Sequence, residues 1–264
     1  MVETSLSGQP YGAGEKTLVA IENVTKTYRP RGAEPVFALT DVNVDIHDNE
    51  IVSLIGPSGC GKSTLLRIIA GLDKEYDGTL NWSREPRPGK DIGFVFQEPA
   101  LLPWRTVRRN VAIGLEVQGV SASEQRDRVD YLLGLVGLQD FAESFPRQLS
   151  GGMRQRVAIV RALAYDPQIL LMDEPFGALD AITRDKLHDD MLRIWEETKK
   201  TIVIVTHAVD EATYLSSRVV VMSARPGRIR SVHTVPIDRE NREPSARQTA
   251  EFAEFSGMLR SELQ

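Results

Sequence analysis

The chain has 264 residues, a formal net charge of −5 and an apolar fraction of 41%. This length is sufficient to bury a full α/β core together with a small additional subdomain. The negative charge excludes the broad basic surface that binds a nucleic-acid backbone, so we predict no nucleic-acid partner. The longest apolar runs, such as 51–55 and 202–205, are strand-sized and far shorter than the ~20 residues that span a bilayer.

The beginning of the chain and its cysteine content favour the cytoplasm. Residues 1–16 are polar, rich in Gly and Ser, and lack the basic start and apolar stretch of a secretory signal. We predict that they form a tail outside the folded core. The single cysteine, Cys60, excludes an intrachain disulfide framework and a cysteine-based zinc site.

Strand-like runs and turns alternate over residues 17–55. Val42, Val44 and Ile46 alternate with polar residues, which is the period of a half-exposed strand. Residues 51–55 are more continuously apolar and predict a central strand that is covered on both faces. A glycine-rich loop follows directly, and residues 62–70 predict a helix that ends at Gly71. This order of strand, loop and helix is the one that a phosphate-binding loop (P-loop) requires.

The glycine-rich loop predicts a polyphosphate site. Glycines let the backbone fold closely around phosphate with its amides pointing inward, and the following helix presents its positive end to the anion. Lys62 would reach the β- and γ-phosphates, and the Ser63 hydroxyl would ligate Mg²⁺. The predicted ATP-binding residues of this loop are Gly56, Pro57, Ser58, Gly59, Cys60, Gly61, Lys62, Ser63 and Thr64.

Cys60 allows two interpretations. The favoured one is a small side chain that fills a position inside the loop. Because a helix N-terminus activates thiols, the alternative is a thiol that reacts with labelling reagents and that ATP protects.

A helical subdomain is predicted between two parts of an α/β core. Residues 92–96 predict a short strand that ends at Gln97, and residues 98–148 contain little strand pattern. Ser121 and Glu124 form a candidate capping box, followed by apolar residues at helical spacing. We therefore predict a P-loop NTPase core with a mixed sheet, formed by residues 17–97 and 149–237. The inserted helical subdomain is 98–148, and the charged residues 238–264 are predicted to be a peripheral tail.

A second glycine-bearing turn begins the next predicted helix, at 151–164. Ser150 has the character of its N-cap, and Gly151 and Gly152 expose the amides of the first turn. This arrangement predicts a second anion site. Two helix N-termini of one chain do not easily enclose one ATP unless they converge. A capped helix start without a ligand is the alternative interpretation.

Two consecutive carboxylates end the next predicted strand. Residues 169–172 are apolar and predict a buried strand, and ligands of open α/β sheets gather beyond the carboxyl ends of such strands. Asp173 would hold Mg²⁺ through water, since this ion dehydrates reluctantly. Glu174 would face the γ-phosphate and polarise an attacking water as general base. A long helix near 181–199 and strands at 202–205 and 219–222 complete the predicted core.

Taken together, these motifs resemble the ATP-binding cassette (ABC) family, in which two copies of the chain share two ATP molecules. The resemblance extends over residues 28–207. It implies ATP hydrolysis coupled to transmembrane transport, with ATP and Mg²⁺ as cofactors and Lys62, Glu174 and His207 as catalytic residues. It also implies that Ser150, Gly151 and Gly152 close over the ATP of the opposite subunit in a head-to-tail homodimer.

The resemblance assigns four further roles. Tyr28 is similar to the aromatic residue that stacks on adenine, and Gln97 to the glutamine that touches Mg²⁺ and senses the transport domains. Asp180 is similar to a residue that communicates across the dimer, and His207 to the histidine that contacts the γ-phosphate. Met153 departs from the family pattern, in which glutamine is commonest at this position.

A closer resemblance is to the ATPase subunits of nitrate, sulfonate and taurine importers. Residues 97–107, 149–156 and 223–229 carry it. It implies import of a small anionic solute through integral-membrane permease subunits, with a secreted or periplasmic solute-binding protein. The chain would then lie at the cytoplasmic face of the inner membrane.

An apolar knob, formed by Leu101, Leu102, Pro103 and Trp104, lies just after Gln97 in the sequence. We hypothesise that it docks a short helix of the permease. A local plug of the helical subdomain is the alternative.

Other classes of ATPase share parts of this pattern. An exporter or lipid-transport ATPase would carry the same catalytic core. Cassette ATPases of translation usually contain two cassettes, and those of DNA repair contain a long coiled coil, and this sequence shows neither pattern. A single-chain P-loop kinase would not need the turn at 150–152 and would require a phosphate-acceptor site, for which we find no motif.

Overall fold

The computed structural model describes residues 16–29, 31–32, 34–87, 89–237 and 242–264. The predicted N-terminal tail therefore lies, apart from Lys16, outside the described residues. The strands are β1 (Thr17–Tyr28), β2 (Val36–His47), β3 (Ile51–Ile55), β4 (Asp77–Trp82), β5 (Ile92–Val95), β6 (Ile169–Asp173), β7 (Thr201–Val205), β8 (Arg218–Met222) and β9 (Ile229–Thr234). The α-helices are α1 (Lys62–Ile69), α2 (Val107–Val117), α3 (Ala122–Leu135), α4 (Gly151–Leu163), α5 (Ala181–Thr198), α6 (Val209–Leu215) and α7 (Ala250–Glu262).

The strands form two sheets, which confirms the predicted α/β class with a mixed sheet. A three-stranded antiparallel sheet has the order β2-β1-β4, and a six-stranded sheet has the order β5-β6-β7-β3-β8-β9. The first five strands of the larger sheet are parallel, and β9 pairs antiparallel with β8. β3 and β7 are buried along their whole length, as their continuous apolar sequences predict.

The carboxyl ends of the parallel strands lie at one edge of the larger sheet. β3 runs into the P-loop, and one residue separates the end of β5 from Gln97. β6 ends at Asp173, and β7 is followed by the loop that carries His207. The topology therefore brings the predicted site residues, which come from four separate parts of the chain, to one edge of the sheet.

Residues 98–148 contain α2, α3 and two short 3₁₀ helices, and no strand. The capping box at the start of α3 is confirmed. The Ser121 side chain accepts a hydrogen bond from the Glu124 N–H, and the Glu124 side chain accepts one from the Ser121 N–H. Val111 of α2 and Leu132 of α3 are buried in one cluster with Val160 of α4. The helical region thus shares its apolar core with the helix that follows Ser150.

The end of the chain differs from the expected peripheral tail. Of residues 238–264, the structure describes 242–264, which include α7. Phe255 and Leu259 are buried against Val209 and Ala212 of α6. The many charged residues of this segment conceal apolar residues at helical spacing, so its composition predicts a tail where the structure has a helix packed on the core.

Candidate functional site

The P-loop depends on a backbone conformation that glycine alone adopts easily. Gly61, the N-cap of α1, has φ of 105°, and a Cβ there would lie 2.8 Å from the Ala38 carbonyl oxygen. Gly59 also has a positive φ, 76°. The loop therefore passes tightly over β2 and enters α1 with its first amides free to face an anion.

A cavity of about 210 Å³ lies over this loop. Glu174 and Arg225 reach it from two other parts of the chain. The remaining lining residues are Tyr28, Ala38, Ser58, Gly59, Gly61, Lys62, Ser63 and Thr64. Most of the predicted nucleotide-binding residues thus surround one cavity, which acidic and basic side chains both line.

The Lys62 side chain is buried against the backbone of the P-loop. Its ammonium donates to the carbonyl oxygens of Gly56 at 2.8 Å and Pro57 at 3.2 Å, and the residue is 5% exposed. Two backbone carbonyl oxygens and the Cys60 sulfur, at 3.9 Å, are the contacts of this buried cation, and no carboxylate of the described residues forms an ion pair with it. An incoming phosphate would supply the missing negative charge.

Ser63 and Asp173 form the part of the site that suits a hard cation. The Ser63 hydroxyl donates to Asp173 Oδ1 at 2.7 Å, which joins the start of α1 to the end of β6. Hydroxyl and carboxylate oxygens are ligands that Mg²⁺ prefers. This ion needs few protein ligands when phosphate oxygens also bind it. Within the described ranges, no group of three or more His, Cys, Asp or Glu residues forms an all-protein metal site.

Glu174 occupies a strained position beside His207. Its φ is 46°, in the left-handed region, and its N–H donates to the Val205 carbonyl at 2.9 Å. Glu174 Oε2 lies 3.3 Å from His207 Nδ1. A non-glycine residue in this conformation is strained by ~1–3 kcal/mol, and such strain clusters at functional sites.

Gln97 and Glu174 approach each other at Gly177. A Cβ on Gly177 would lie 3.8 Å from both Gln97 Nε2 and Glu174 Oε2. The loop after β5 and the loop after β6 therefore present a carboxamide and a carboxylate to the same small space. The structure therefore brings Gln97 close to Glu174, the predicted general base.

Tyr28 is positioned by a partly buried charge pair. Lys26 donates to Asp73 Oδ1 at 2.7 Å, and its ammonium lies 4.8 Å from the centre of the Tyr28 ring. The Tyr28 hydroxyl donates to Asp73 Oδ2 at 3.3 Å and lies 3.5 Å from Thr64 Oγ1. Burial acts to raise the pKa of Asp73, but hydrogen bonds from Lys26 and from backbone outweigh it, so the pKa is lowered. The ring is thereby fixed at the rim of the P-loop.

The turn at 150–152 forms a separate feature. Ser150 is the N-cap of α4, with its hydroxyl accepting from the Met153 N–H at 3.3 Å, which confirms the predicted cap. The Met153 side chain is partly buried against the main apolar cluster. Of the described residues, those that line the P-loop cavity do not include Ser150, Gly151 or Gly152. The two predicted anion sites of one chain are thus distinct.

Asp180 lies next to that turn. It is the N-cap of α5 and accepts from the Thr183 N–H at 3.0 Å, and this hydrogen bond lowers its pKa. A Cβ on Gly152 would collide with the Thr183 side chain. Close packing therefore brings the starts of α4 and α5 together and makes Asp180 a neighbour of the turn.

Cys60 is buried, with 1% of its surface exposed, and its sulfur packs under Gly56. A labelling reagent has no access to this thiol in the folded chain. The interpretation as a filling side chain agrees with this burial, and the alternative of a reactive thiol does not.

Sequence reasoning missed two arginines. Arg161 of α4 donates to the carbonyl oxygens of Ala100 at 2.8 Å and Pro99 at 2.9 Å, and burial lowers its pKa. Arg225 lines the P-loop cavity. No pattern around Arg161 signals its contact, whereas Arg225 lies in segment 223–229, which carries part of the resemblance to importer ATPases.

Comparisons with known proteins agree with this geometry. The ABC transporter family pattern matches residues 39–177. The chain is 46% identical over 242 residues to the taurine import ATP-binding protein TauB of Jannaschia sp., covering 91% of this chain and 90% of that protein. It is 48% identical over 235 residues to the nitrate import ATP-binding protein NrtD of Synechocystis sp., covering 86% and 88%.

Solved structures are similar as well. The dimeric structure of MJ0796, a bacterial ABC transporter cassette, has a TM-score of 0.72 and 37% identity and covers 83% of this chain and 100% of that one. A post-hydrolysis dimer of the same cassette, bound to ADP and Pi, matches equally well. In the described part of the present chain, no helix is both long and apolar enough to cross a membrane.

Replacing Gly61 with alanine tests how tightly the P-loop is held. Gly61→Ala combines an unfavourable positive φ with a clash against β2, so we expect the free energy of unfolding to fall by about 2–4 kcal/mol. The matched control is Gly71→Ala, because Gly71 has φ of 68° and open space around its Cβ position. Its expected cost is about 1–2 kcal/mol from backbone conformation alone. Urea denaturation measures both, and equal losses would contradict the close approach.

Proposed function

Since this chain belongs to the ABC transporter family of ATPases, we propose that it energises the import of a small anionic solute through a separate membrane permease. The observation that carries the ATPase function is the convergence of Lys62, Ser63, Asp173, Glu174 and His207 at the carboxyl ends of parallel strands. Support for import comes from relatives whose names state taurine, nitrate and aliphatic sulfonate import. These solutes share an oxyanion group, which suggests the cargo class.

Nucleotide binding in this proposal uses three groups of residues in and beside the cavity. The Tyr28 ring stacks on adenine, and the amides of the P-loop surround the phosphates. Lys62 exchanges backbone carbonyl contacts for phosphate oxygens. Ser63, Asp173 and Gln97 would hold Mg²⁺, which neutralises charge on the phosphates when bound.

Hydrolysis requires a positioned base. Glu174 accepts a proton from water as the water oxygen attacks the γ-phosphorus, and the bond from that phosphorus to the bridging oxygen of ADP breaks. The products are ADP and inorganic phosphate. His207, 3.3 Å from Glu174, is placed to orient the carboxylate and to contact the γ-phosphate.

A dimer completes the site. Ser150, Gly151 and Gly152 do not line the cavity of their own chain, so their amides remain available to the γ-phosphate bound by a second copy. In this arrangement ATP holds two copies head to tail, and loss of phosphate separates them. Asp180, adjacent to this turn through Thr183, lies where a contact between copies would form. The dimeric cassette structures support this proposal.

The permease would dock at Trp104. This side chain is 72% exposed, yet its loop is held firmly by Asn110, which is fully buried. Asn110 accepts from the Leu102 N–H at 2.8 Å and donates to the carbonyl oxygens of Leu102 at 3.1 Å and Arg105 at 3.0 Å. An exposed aromatic residue on a rigid loop is typical of a docking residue.

The remaining parts of the proposal follow from the import system. Docking to a permease places the chain peripherally, at the cytoplasmic face of the inner membrane. Delivery of solute from outside would use a secreted or periplasmic binding protein. The relatives' names, which state import, support such a system.

Glu174→Gln tests the general base. The variant keeps the shape of the side chain but loses the proton acceptor, so we expect ATP turnover to fall at least about 100-fold while nucleotide affinity is retained. Phosphate release and calorimetric binding measure the two quantities. Glu98→Gln, an exposed carboxylate on the neighbouring loop, is the control and should keep basal turnover. Near-normal turnover in Glu174→Gln would eliminate Glu174 as the base.

Trp104→Asp tests the docking site. Introducing a charge at the centre of an apolar contact should weaken assembly with the cognate permease by about 30-fold or more and abolish coupled solute uptake. The free chain should keep its basal ATPase activity, because Trp104 does not line the P-loop cavity. Val117→Asp is the control, since Val117 is exposed at the end of α2. Intact assembly and uptake in Trp104→Asp would refute this docking role.

A further inference from the structure

The segment after β8 folds back against the P-loop. Residues 223–229 read Ser-Ala-Arg-Pro-Gly-Arg-Ile, and the Ser223 N–H donates to the Arg228 carbonyl at 3.0 Å, which closes a tight loop. The Arg228 N–H in turn donates to the Ser223 hydroxyl at 3.2 Å. These bonds give the loop a defined shape although it lies at the surface.

Gly227 attaches this loop to the site. Its N–H donates to the Ala38 carbonyl and its carbonyl accepts from the Thr40 N–H, both at 3.0 Å. A Cβ on Gly227 would collide with the Cys60 carbonyl oxygen, so the backbones of the two loops are in direct contact. The loop is thus fixed relative to both β2 and the P-loop.

Arg225 projects from the fixed loop to the cavity. Its Nε donates to the Gly59 carbonyl at 3.2 Å, and its Nη2 lies 3.6 Å from the position that a Cβ on Gly59 would occupy. Arg225 lines the same cavity as Lys62. No carboxylate of the described residues forms an ion pair with this guanidinium. Its terminal nitrogens are therefore oriented by the backbone while its charge is not neutralised.

We propose that Arg225 is a nucleotide-binding residue that contacts the phosphate chain as a second cation, in addition to Lys62. The inference rests on the proposed binding of ATP at the P-loop and adds a residue to it. Among the described residues that line the cavity, Lys62 and Arg225 are the basic ones, and Glu174 is the acidic one. A guanidinium has a planar set of donors, so Nε can keep the Gly59 carbonyl while the terminal nitrogens bind phosphate oxygens.

Arg225→Gln separates this role from a structural one. Glutamine keeps a donor for the Gly59 carbonyl and removes the charge. We expect the affinity for Mg-ADP and for a Mg-bound non-hydrolysable ATP analogue, measured by calorimetry on the full chain, to fall about five- to tenfold. Arg225→Lys should recover most of the loss at low salt, because it restores the charge. The thermal midpoint without nucleotide should stay near that of the wild type.

Arg228→Gln is the matched control, since Arg228 lies in the same loop, is exposed and does not line the cavity. Its nucleotide affinity should be unchanged. The proposal is overturned if Arg225→Gln binds nucleotide as tightly as the wild type, or if Arg225→Lys is as weak as Arg225→Gln. Failure of the wild type itself to bind either nucleotide would instead remove the ATPase function on which the inference rests.

Discussion

The parallel register of β6, β7 and β3 is the constraint on which the whole site depends. Val205 of β7 pairs with Leu54 of β3 on one side and with Asp173 of β6 on the other. The backbone continues this register beyond the strands, because the Glu174 N–H donates to the Val205 carbonyl at 2.9 Å. Only in this alignment does Asp173 reach Ser63 at 2.7 Å. A slip of one residue would turn each side chain to the opposite face and separate the carboxylates from the P-loop.

The loops that follow β5 and β8 are held in place by single side chains and by backbone contacts. Arg161 holds the loop after Gln97 against α4, whose first turn is the proposed contact for the other ATP. Arg225 and Gly227 hold the loop after β8 against the P-loop. These contacts fix the loop before Trp104 on the last turn of α4, and the loop after β8 on the P-loop.

Prediction from sequence succeeded where local pattern and local structure coincide. The apolar runs of β3 and β7, the capping box at Ser121 and the cap at Ser150 each follow from a few adjacent residues. It missed β4, which is mostly exposed and lacks alternating apolar residues, and α7, whose buried face is hidden among charges. The contacts of Arg161 and Arg225 join residues more than 60 positions apart, and no short-range pattern specifies them. The adjacency of Glu174 and His207 likewise depends on the strand order.

Sedimentation velocity of the hydrolysis-deficient variant Glu174→Gln, with and without Mg-ATP, tests the central claim most directly. The claim is that nucleotide bound between two P-loop cavities and two copies of the turn at 150–152 joins the copies reversibly. The account predicts a dimer at saturating Mg-ATP and a monomer with Mg-ADP, because only ATP presents a γ-phosphate to the second copy. A chain that binds Mg-ATP yet remains monomeric, even together with its permease, would contradict the account.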